Sequence, residues 1–281
     1  MTAPPGDPAT ADNVAFWDAM ASVHGEGADR YYDIDALAEG ASSMSSVEEA
    51  AVREAVGEVA GLRVLHVQCH LGMDSVTMTR RGAQVTGVDF SPVSIAKARA
   101  VADRCGARVD YLLADSTALP ETLHGRFDLA YATVGILGWI ADVDAWMRSV
   151  AGTLRPGGRL VLVDLHPLFQ MFATLEPLVA DLPYAFDGPH VFDEDGSYAD
   201  PDARLAATRS VNFAHSLGEI VTAAVAAGLR VDVLREHLDS DFDPRGDVLA
   251  REDDGRFRMR IGGLPAPVLF TLVATRPDEQ A

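Results

Sequence analysis

The feature that most constrains this 281-residue chain is a switch of hydrophobic period that repeats from Arg63 to Leu165. Apolar runs of strand length occur at Arg63-Val-Leu-His-Val67, Gln84-Val-Thr-Gly-Val88, Val109 to Ala114, Phe127-Asp-Leu-Ala-Tyr131 and Arg159 to Leu165. Between them lie segments of helical period. Helices are predicted from Asp74 to Arg81, closed by Gly82, and from Ser91, with Pro92 in the first turn, to Gly106. A third runs from about Asp142 to Leu154 and stops at Arg155-Pro-Gly-Gly158. A strand, a helix and a further strand cross over right-handed, so this alternation builds a parallel sheet with helices on both faces. Strands at Leu229–Arg235 and Val268–Thr275 bring the sheet to seven.

The flanking segments read as a cap and a lid. Asp12 is predicted to cap a helix from Asn13 to about His24 that carries Val14, Trp17, Met20 and Ala21 on one stripe. A second helix is predicted from Ser46, where Ser46-x-x-Glu49 forms a capping box, to Gly61. Residues 1–60 are thus expected to be a tail and a helical cap, and residues 61–281 the main domain. Within that domain, residues from 166 to about 215 lose their periodicity. They are rich in Pro, Gly and Asp, and Tyr184, Phe186, Phe192 and Tyr198 favour a folded lid over a disordered loop. The pattern resumes with a capping box, Ser216-x-x-Glu219, that opens a helix to Gly228.

Charge and cysteine content narrow the partners. A formal charge of −19 opposes binding to nucleic acid or an anionic membrane, both of which reward a basic face. Cys69 and Cys105 do not make a secreted disulfide framework. The opening MTAPPGDPATA has neither a basic segment nor an apolar core and is expected to be a short disordered tail, not a signal peptide. The apolar run from Leu129 to Ala141 is too short to span a bilayer. The expectation is a cytoplasmic protein with a small-molecule substrate, and a homodimer is left open. From Arg159 to Arg204 there is no intervening Lys or Arg but nine carboxylates: Asp164, Glu176, Asp181, Asp187, Asp193, Glu194, Asp195, Asp200 and Asp202. They are expected either to form a solvated lid surface or to favour a basic amine or a polyhydroxylated acceptor.

Open parallel sheets bind ligands beyond the carboxyl ends of their strands. The loop after the first strand, Gln68-Cys69-His70-Leu71-Gly72, lacks the G-x-G-x-x-G dinucleotide fingerprint. A nucleoside without a pyrophosphate needs less glycine there. Asp89 ends the second strand, where a carboxylate accepts hydrogen bonds from ribose hydroxyls, or alternatively caps the next helix. Asp115 and Ser116 end the third strand, in place to read an adenine edge.

In this order, the segments VLHVQCHLGMDS, GVDFSP, LLADSTALP, FDLAYATVGILGW and LRPGGRLVLVDLHP resemble motifs one to five of class I S-adenosylmethionine (SAM)-dependent methyltransferases. The first motif departs from the common acidic-x-Gly-x-Gly-x-Gly form: His66 takes the acidic position, Gln68 and His70 replace two glycines, and Gly72 remains. In this it resembles a bacterial subgroup with an HxQCH-type loop. The resemblance implies a Rossmann-like sheet of seven strands, mostly parallel with the last antiparallel, and SAM as cofactor. It implies that Gln68, Cys69, His70 and Gly72 meet the methionine end, that Asp89 holds the ribose, and that Phe90 packs on the adenine. Asp115 with Ser116 would hold the adenine amino edge, and Thr133 the methionine amino group. Gln68 and His70 either bond the cofactor carboxylate or hold the loop through its backbone. Trp17 and Tyr32 either close over the cofactor or pack the cap.

Methyl transfer needs alignment, plus a base where the acceptor carries a proton. His166, which follows the fifth strand, and His215, which precedes the helix after the insert, are the candidate bases; a packed histidine and a cap are the bland readings. His215-x-x-x-Glu219 has metal-ligand spacing, to which His166 or His190 could add, but no metal is expected. The expected function is methylation of O, N or C of a small metabolite. The rivals are other chemistry at the sulfonium, a silent SAM-fold subunit, and a nicotinamide oxidoreductase, which the missing fingerprint opposes.

Overall fold

The structure, a computed structural model, describes residues 8–25, 31–200, 202–245 and 248–278. Its central element is a seven-stranded sheet. Parallel strands β1 (Arg63–Val67), β2 (Gln84–Asp89), β3 (Asp110–Leu113), β4 (Phe127–Ala132) and β5 (Leu154–Leu165) are joined by β6 (Arg230–His237) and β7 (Leu269–Thr275) in the order β6-β7-β5-β4-β1-β2-β3. β7 runs antiparallel to both β5 and β6. Central strands are covered on both faces, so nearly all residues of β1, β4 and β7 are buried, whereas the edge strand β6 alternates with solvent.

The helices are α1 (Pro8–Val23), α2 (Ile34–Glu39), α3 (Ser46–Val56), α4 (Met73–Arg80), α5 (Pro92–Arg104), α6 (Val143–Thr153), the single turn α7 (Pro167–Gln170) and α8 (Leu217–Ala226). Successive strand residues point to opposite faces. On β1, Leu65 and Val67 therefore join Trp146, Met147 and Val150 of α6 and Ile220 and Ala223 of α8. Val64 joins Val47, Ala51, Val52 and Ala55 of α3 on the other face.

Several boundaries differ from the sequence expectation. α1 begins at Pro8, so Asp12 is inside the helix, where its carboxylate pairs with Arg209 instead of capping. Part of the expected tail is therefore helix, and residues 1–7 lie outside the described residues. α3 is capped by Ser45 with Glu48, one residue before the predicted box, and ends at Gly57. β5 starts at Leu154 and takes in Pro156-Gly157-Gly158, with a register irregularity opposite Phe127 to Leu129 absorbing the extra residues.

Residues 166–215 hold α7 and two hairpins, 172–175 with 178–180 and 190–193 with 209–212. α1 lies along the second hairpin, where Asn13 exchanges two hydrogen bonds of 2.8 Å with Val211. A second excursion, between β6 and β7, has no counterpart in the sequence reading. It contains a small sheet of 250–251, 257–261 and 264–266. Its Met259, Ala266 and Val268 extend the core on the α3 face.

Candidate active site

A cavity of about 1300 Å³ opens at the carboxyl ends of the strands, between the sheet, α1 and both excursions. Its inner wall is the loop after β1. There Gln68 has φ 55° and His70 φ 46°, the only non-glycine residues with positive φ among those described. These are two of the positions at which the common motif carries glycine. Each left-handed residue with a Cβ costs roughly 1–2 kcal/mol, so the side chains must compensate.

Gln68 does so by bridging elements. Its Oε1 accepts from Trp146 Nε1 at 2.8 Å and Ser116 Oγ at 3.3 Å, and its Nε2 donates to Ile136 O at 3.4 Å. His70 ties the loop to the cap. Its Nδ1 hydrogen-bonds with Ser94 Oγ at 3.1 Å and its Nε2 with His24 Nδ1 at 2.7 Å, while His24 Nε2 reaches Ser197 Oγ of the lid at 2.8 Å. Burial first, then the Lys97 charge, lowers His24 to about 3. Burial, the charge on His24 and that on Lys97 hold His70 well below the usual imidazole range. Both rings are neutral at pH 7. Gln68→Gly should relieve the strain yet lose three hydrogen bonds, whereas Gln68→Ala loses the bonds and keeps the strain. The alanine variant is therefore expected to unfold at about 1 kcal/mol less than the glycine variant, as read by urea denaturation.

Gly72 shows why the last motif glycine is retained. It has φ 67°, and an added Cβ would sit 2.2 Å from the Tyr111 hydroxyl. Cys69 is buried, its N–H donates to Val88 O at 2.9 Å, and burial raises its thiol well above the ordinary value. It is a packing residue that borders the cavity.

Asp89 ends β2 and also borders the cavity. Its carboxylate accepts from the His70 and Ser91 N–H groups, each at 2.9 Å, and burial raises it to about 6. Phe90 and Thr133 line the cavity too, and the Thr133 hydroxyl donates to Glu48. Trp17, Tyr32, His24, His70 and Tyr198 make an aromatic wall, with Trp17–His70 centroids at 5.2 Å and His24–Tyr32 at 4.8 Å. The Tyr32 and Tyr198 hydroxyls meet at 2.6 Å, joining cap to lid.

Four of the candidate residues lie outside the cavity lining. Asp115 is exposed and caps its own turn by accepting from the Thr117 N–H at 2.8 Å. Ser116 is buried behind Gln68. His166 caps α7: its Nδ1 accepts from the Leu168 N–H at 3.1 Å and its Nε2 hydrogen-bonds with Glu236 at 2.9 Å. His166→Ala is accordingly expected to cost about 1 kcal/mol of stability, as for other lost caps, in a thermal melt that leaves cofactor affinity unchanged. His215 hydrogen-bonds with Ile140 O at 2.6 Å and stacks on Phe186 beside a separate depression of about 540 Å³. Among the described residues no three His, Cys, Asp or Glu side chains are grouped to hold a metal.

His24, Glu48, Asp74 and Tyr198 border or wall the site without being among the candidate residues. Of the nine carboxylates between Arg159 and Arg204, Asp181, Glu194 and Asp195 line the cavity beside Arg245. Arg245 donates to the Phe172 and Phe169 carbonyls and sits 5.4 Å above the Phe169 ring.

Residues 64–158 match the family model of a methyltransferase domain. A ubiquinone biosynthesis O-methyltransferase of Xanthomonas axonopodis pv. citri (strain 306) is 34% identical over 146 residues, which are 52% of this chain and 60% of that protein. The chain thus spans about three fifths of that relative's length. Among solved structures, a SAM-dependent methyltransferase of Mesorhizobium loti aligns with TM-score 0.57 at 24% identity, covering 85% of this chain and 100% of that one. The 1,6-didemethyltoxoflavin-N1-methyltransferase of Burkholderia thailandensis, solved with 1,6-didemethyltoxoflavin and S-adenosylhomocysteine, aligns with TM-score 0.55 at 16% identity over 99% of this chain and 94% of that one. The fold is the one these solved methyltransferase structures share, and residues 64–158 are similar to the methyltransferase domain.

Proposed function

We propose that the chain binds SAM and transfers its methyl group to O, N or C of a small molecule. The observation that carries this reading is the cavity wall. The loop Gln68–Gly72, Asp89, Phe90 and Thr133, which the family resemblance assigns to the cofactor, border one cavity at the strand ends. The residues fit the group. Gln68 and His70 hold a left-handed backbone where the common motif has glycine, and the buried Trp17 Nε1 and His66 Nε2 at the cavity have no hydrogen-bond partner among the described residues. A volume of about 1300 Å³ exceeds the roughly 300–1,000 Å³ of a single-ligand site, leaving room for an acceptor beside the cofactor.

When bound, SAM supplies an electrophilic methyl group on its sulfonium. The chain's own work is alignment and exclusion of water. The Ser94–His70–His24–Ser197 hydrogen bonds hold loop, cap and lid together over the cavity. At the acceptor end, Asp181 and Glu194 favour a basic amine or a polyhydroxylated acceptor over an acidic one. His166 and His215 stand away from the cavity, so the alignment reading needs neither as a base. Of the three proteins named above, one is an O- and another an N-methyltransferase, in keeping with a small acceptor. Two unpaired cysteines and the lack, among the described residues, of any helix able to cross a membrane support a cytoplasmic location. The test is turnover of SAM to S-adenosylhomocysteine against a panel of amines, phenols and sugars. Methylated product supports the reading. Cofactor binding without turnover on any acceptor would favour a silent subunit.

A further inference from the structure

On the floor of the cavity a polar cluster stands apart from the contacts used so far. His66, in the acidic position of the first motif, is 2% exposed. Its Nδ1 hydrogen-bonds with Ser75 Oγ at 2.8 Å, while its buried Nε2 has no partner among the described residues. It borders the cavity together with Glu48 of α3 and Asp74 of α4. Glu48 is 6% exposed; it accepts from the Ser45 N–H at 2.6 Å and from the Thr133 hydroxyl. Asp74 accepts from Ser43 at 2.5 Å and Tyr131 at 3.1 Å.

All these hydrogen-bond donors are neutral. Burial first, and then the Asp74 charge, pushes Glu48 up to about 8, while burial lowers His66 to about 4. At neutral pH Glu48 is mostly protonated and His66 is neutral, with one ring nitrogen facing no partner among the described residues. Such a buried site is incomplete without a cationic hydrogen-bond donor.

We propose that His66, Glu48 and Asp74 form a subsite for an ammonium group of a ligand in the cavity, replacing the single acid that the motif lacks. An ammonium supplies one positive charge and several N–H donors, matching two carboxylates and a bare imidazole nitrogen. Its arrival favours the ionised form of Glu48, so binding expels up to one proton. The inference rests on the methyltransferase reading in one respect: the ammonium belongs either to the amino-acid end of the cofactor or to an amine acceptor.

The experiment is calorimetric titration of the full chain with S-adenosylhomocysteine and with 5′-methylthioadenosine, which lacks the amino-acid end. Two buffers of different ionisation enthalpy count protons. If the cofactor supplies the ammonium, Glu48→Gln weakens S-adenosylhomocysteine at least ~10-fold, leaves methylthioadenosine unchanged and abolishes proton release, as expected for a lost charge-assisted contact. If an amine acceptor supplies it, both adenosyl ligands bind as in wild type. Turnover on a panel of aliphatic amines then falls at least ~10-fold while turnover on phenols does not. His66→Asn repeats both arms should Glu48→Gln fail to fold. Equal losses for the two adenosyl ligands, or no selective loss in either arm, overturn the subsite alone. Wild-type protein that binds neither adenosyl ligand overturns the methyltransferase reading and this subsite with it.

Discussion

Asp164→Ala is expected to lower the unfolding free energy by about 3 kcal/mol or more, since each buried donor left unpaired costs roughly 1–3 kcal/mol. Asp164 lies in β5 with no exposed surface. Its carboxylate accepts from the backbone N–H groups of Gly135, Ile136 and Leu137, which follow β4, and from Leu165. Burial raises its carboxyl to about 6 even against those four donors, so it is mostly ionised at pH 7. Removing it strands several N–H groups in a dry core. For a chain of this size that is a fall in Tm of roughly 6–12 °C. Because Gly135 and Ile136 line the cavity, cofactor affinity should fall as well. A variant within about 1 kcal/mol of wild type would mean that the loop after β4 finds other acceptors.

Acid is expected to act on the histidine pair at the cap. His24 and His70 meet at 2.7 Å, where one ring donates and the other accepts, and His24 has no exposed surface. In the unfolded chain their imidazoles protonate near pH 6.5, whereas in the folded chain His24 stays neutral down to about 3. Between those values the unfolded state binds more protons, so stability falls as the pH falls through that window. The raised acids Glu48, Asp89 and Asp164 have the opposite sign, favouring the folded state at low pH. The comparison that isolates the pair is wild type against His24→Gln. Between pH 6.5 and 4 the variant should lose less stability than wild type, by on the order of 3 kcal/mol. Parallel pH profiles for the two proteins in urea denaturation would show that the folded pair takes up protons freely.

The sheet was legible because its central strands are buried on both faces, which leaves continuous apolar runs such as Val64-Leu65 and Leu160 to Val163. The cap of α3 was ambiguous by construction. Ser45-Ser46-Val47-Glu48-Glu49 contains two overlapping capping boxes, and tertiary contacts choose between them. Ser46 N–H donates to Asp241 at 2.8 Å and Glu49 pairs with Arg81, leaving Ser45 and Glu48 to close the box. That one-residue shift is what hides Glu48 from a sequence reading of the site.

His166 shows a different limit. Its position at the end of β5 follows from the strand period, but its direction follows from the backbone turn into α7, which the period does not encode. The second excursion, at about 238–268, consists of strands of two to five residues, too short for any periodic signal. The site loop was readable as a departure from the glycine pattern. What Gln68 and His70 do there depends on Trp146, Ser116 and His24, each distant in sequence.

A SAM site between the loop after β1 and the end of β2 is tested by titrating SAM into the wild-type chain and into Asp89→Ala. One site is expected in the wild type, with no binding of a nicotinamide dinucleotide and a loss of more than ~1.5 kcal/mol in the folded variant, as for a charge-assisted hydrogen bond at a buried site. SAM binding of equal strength in both proteins, or no SAM binding by the wild type, would contradict it.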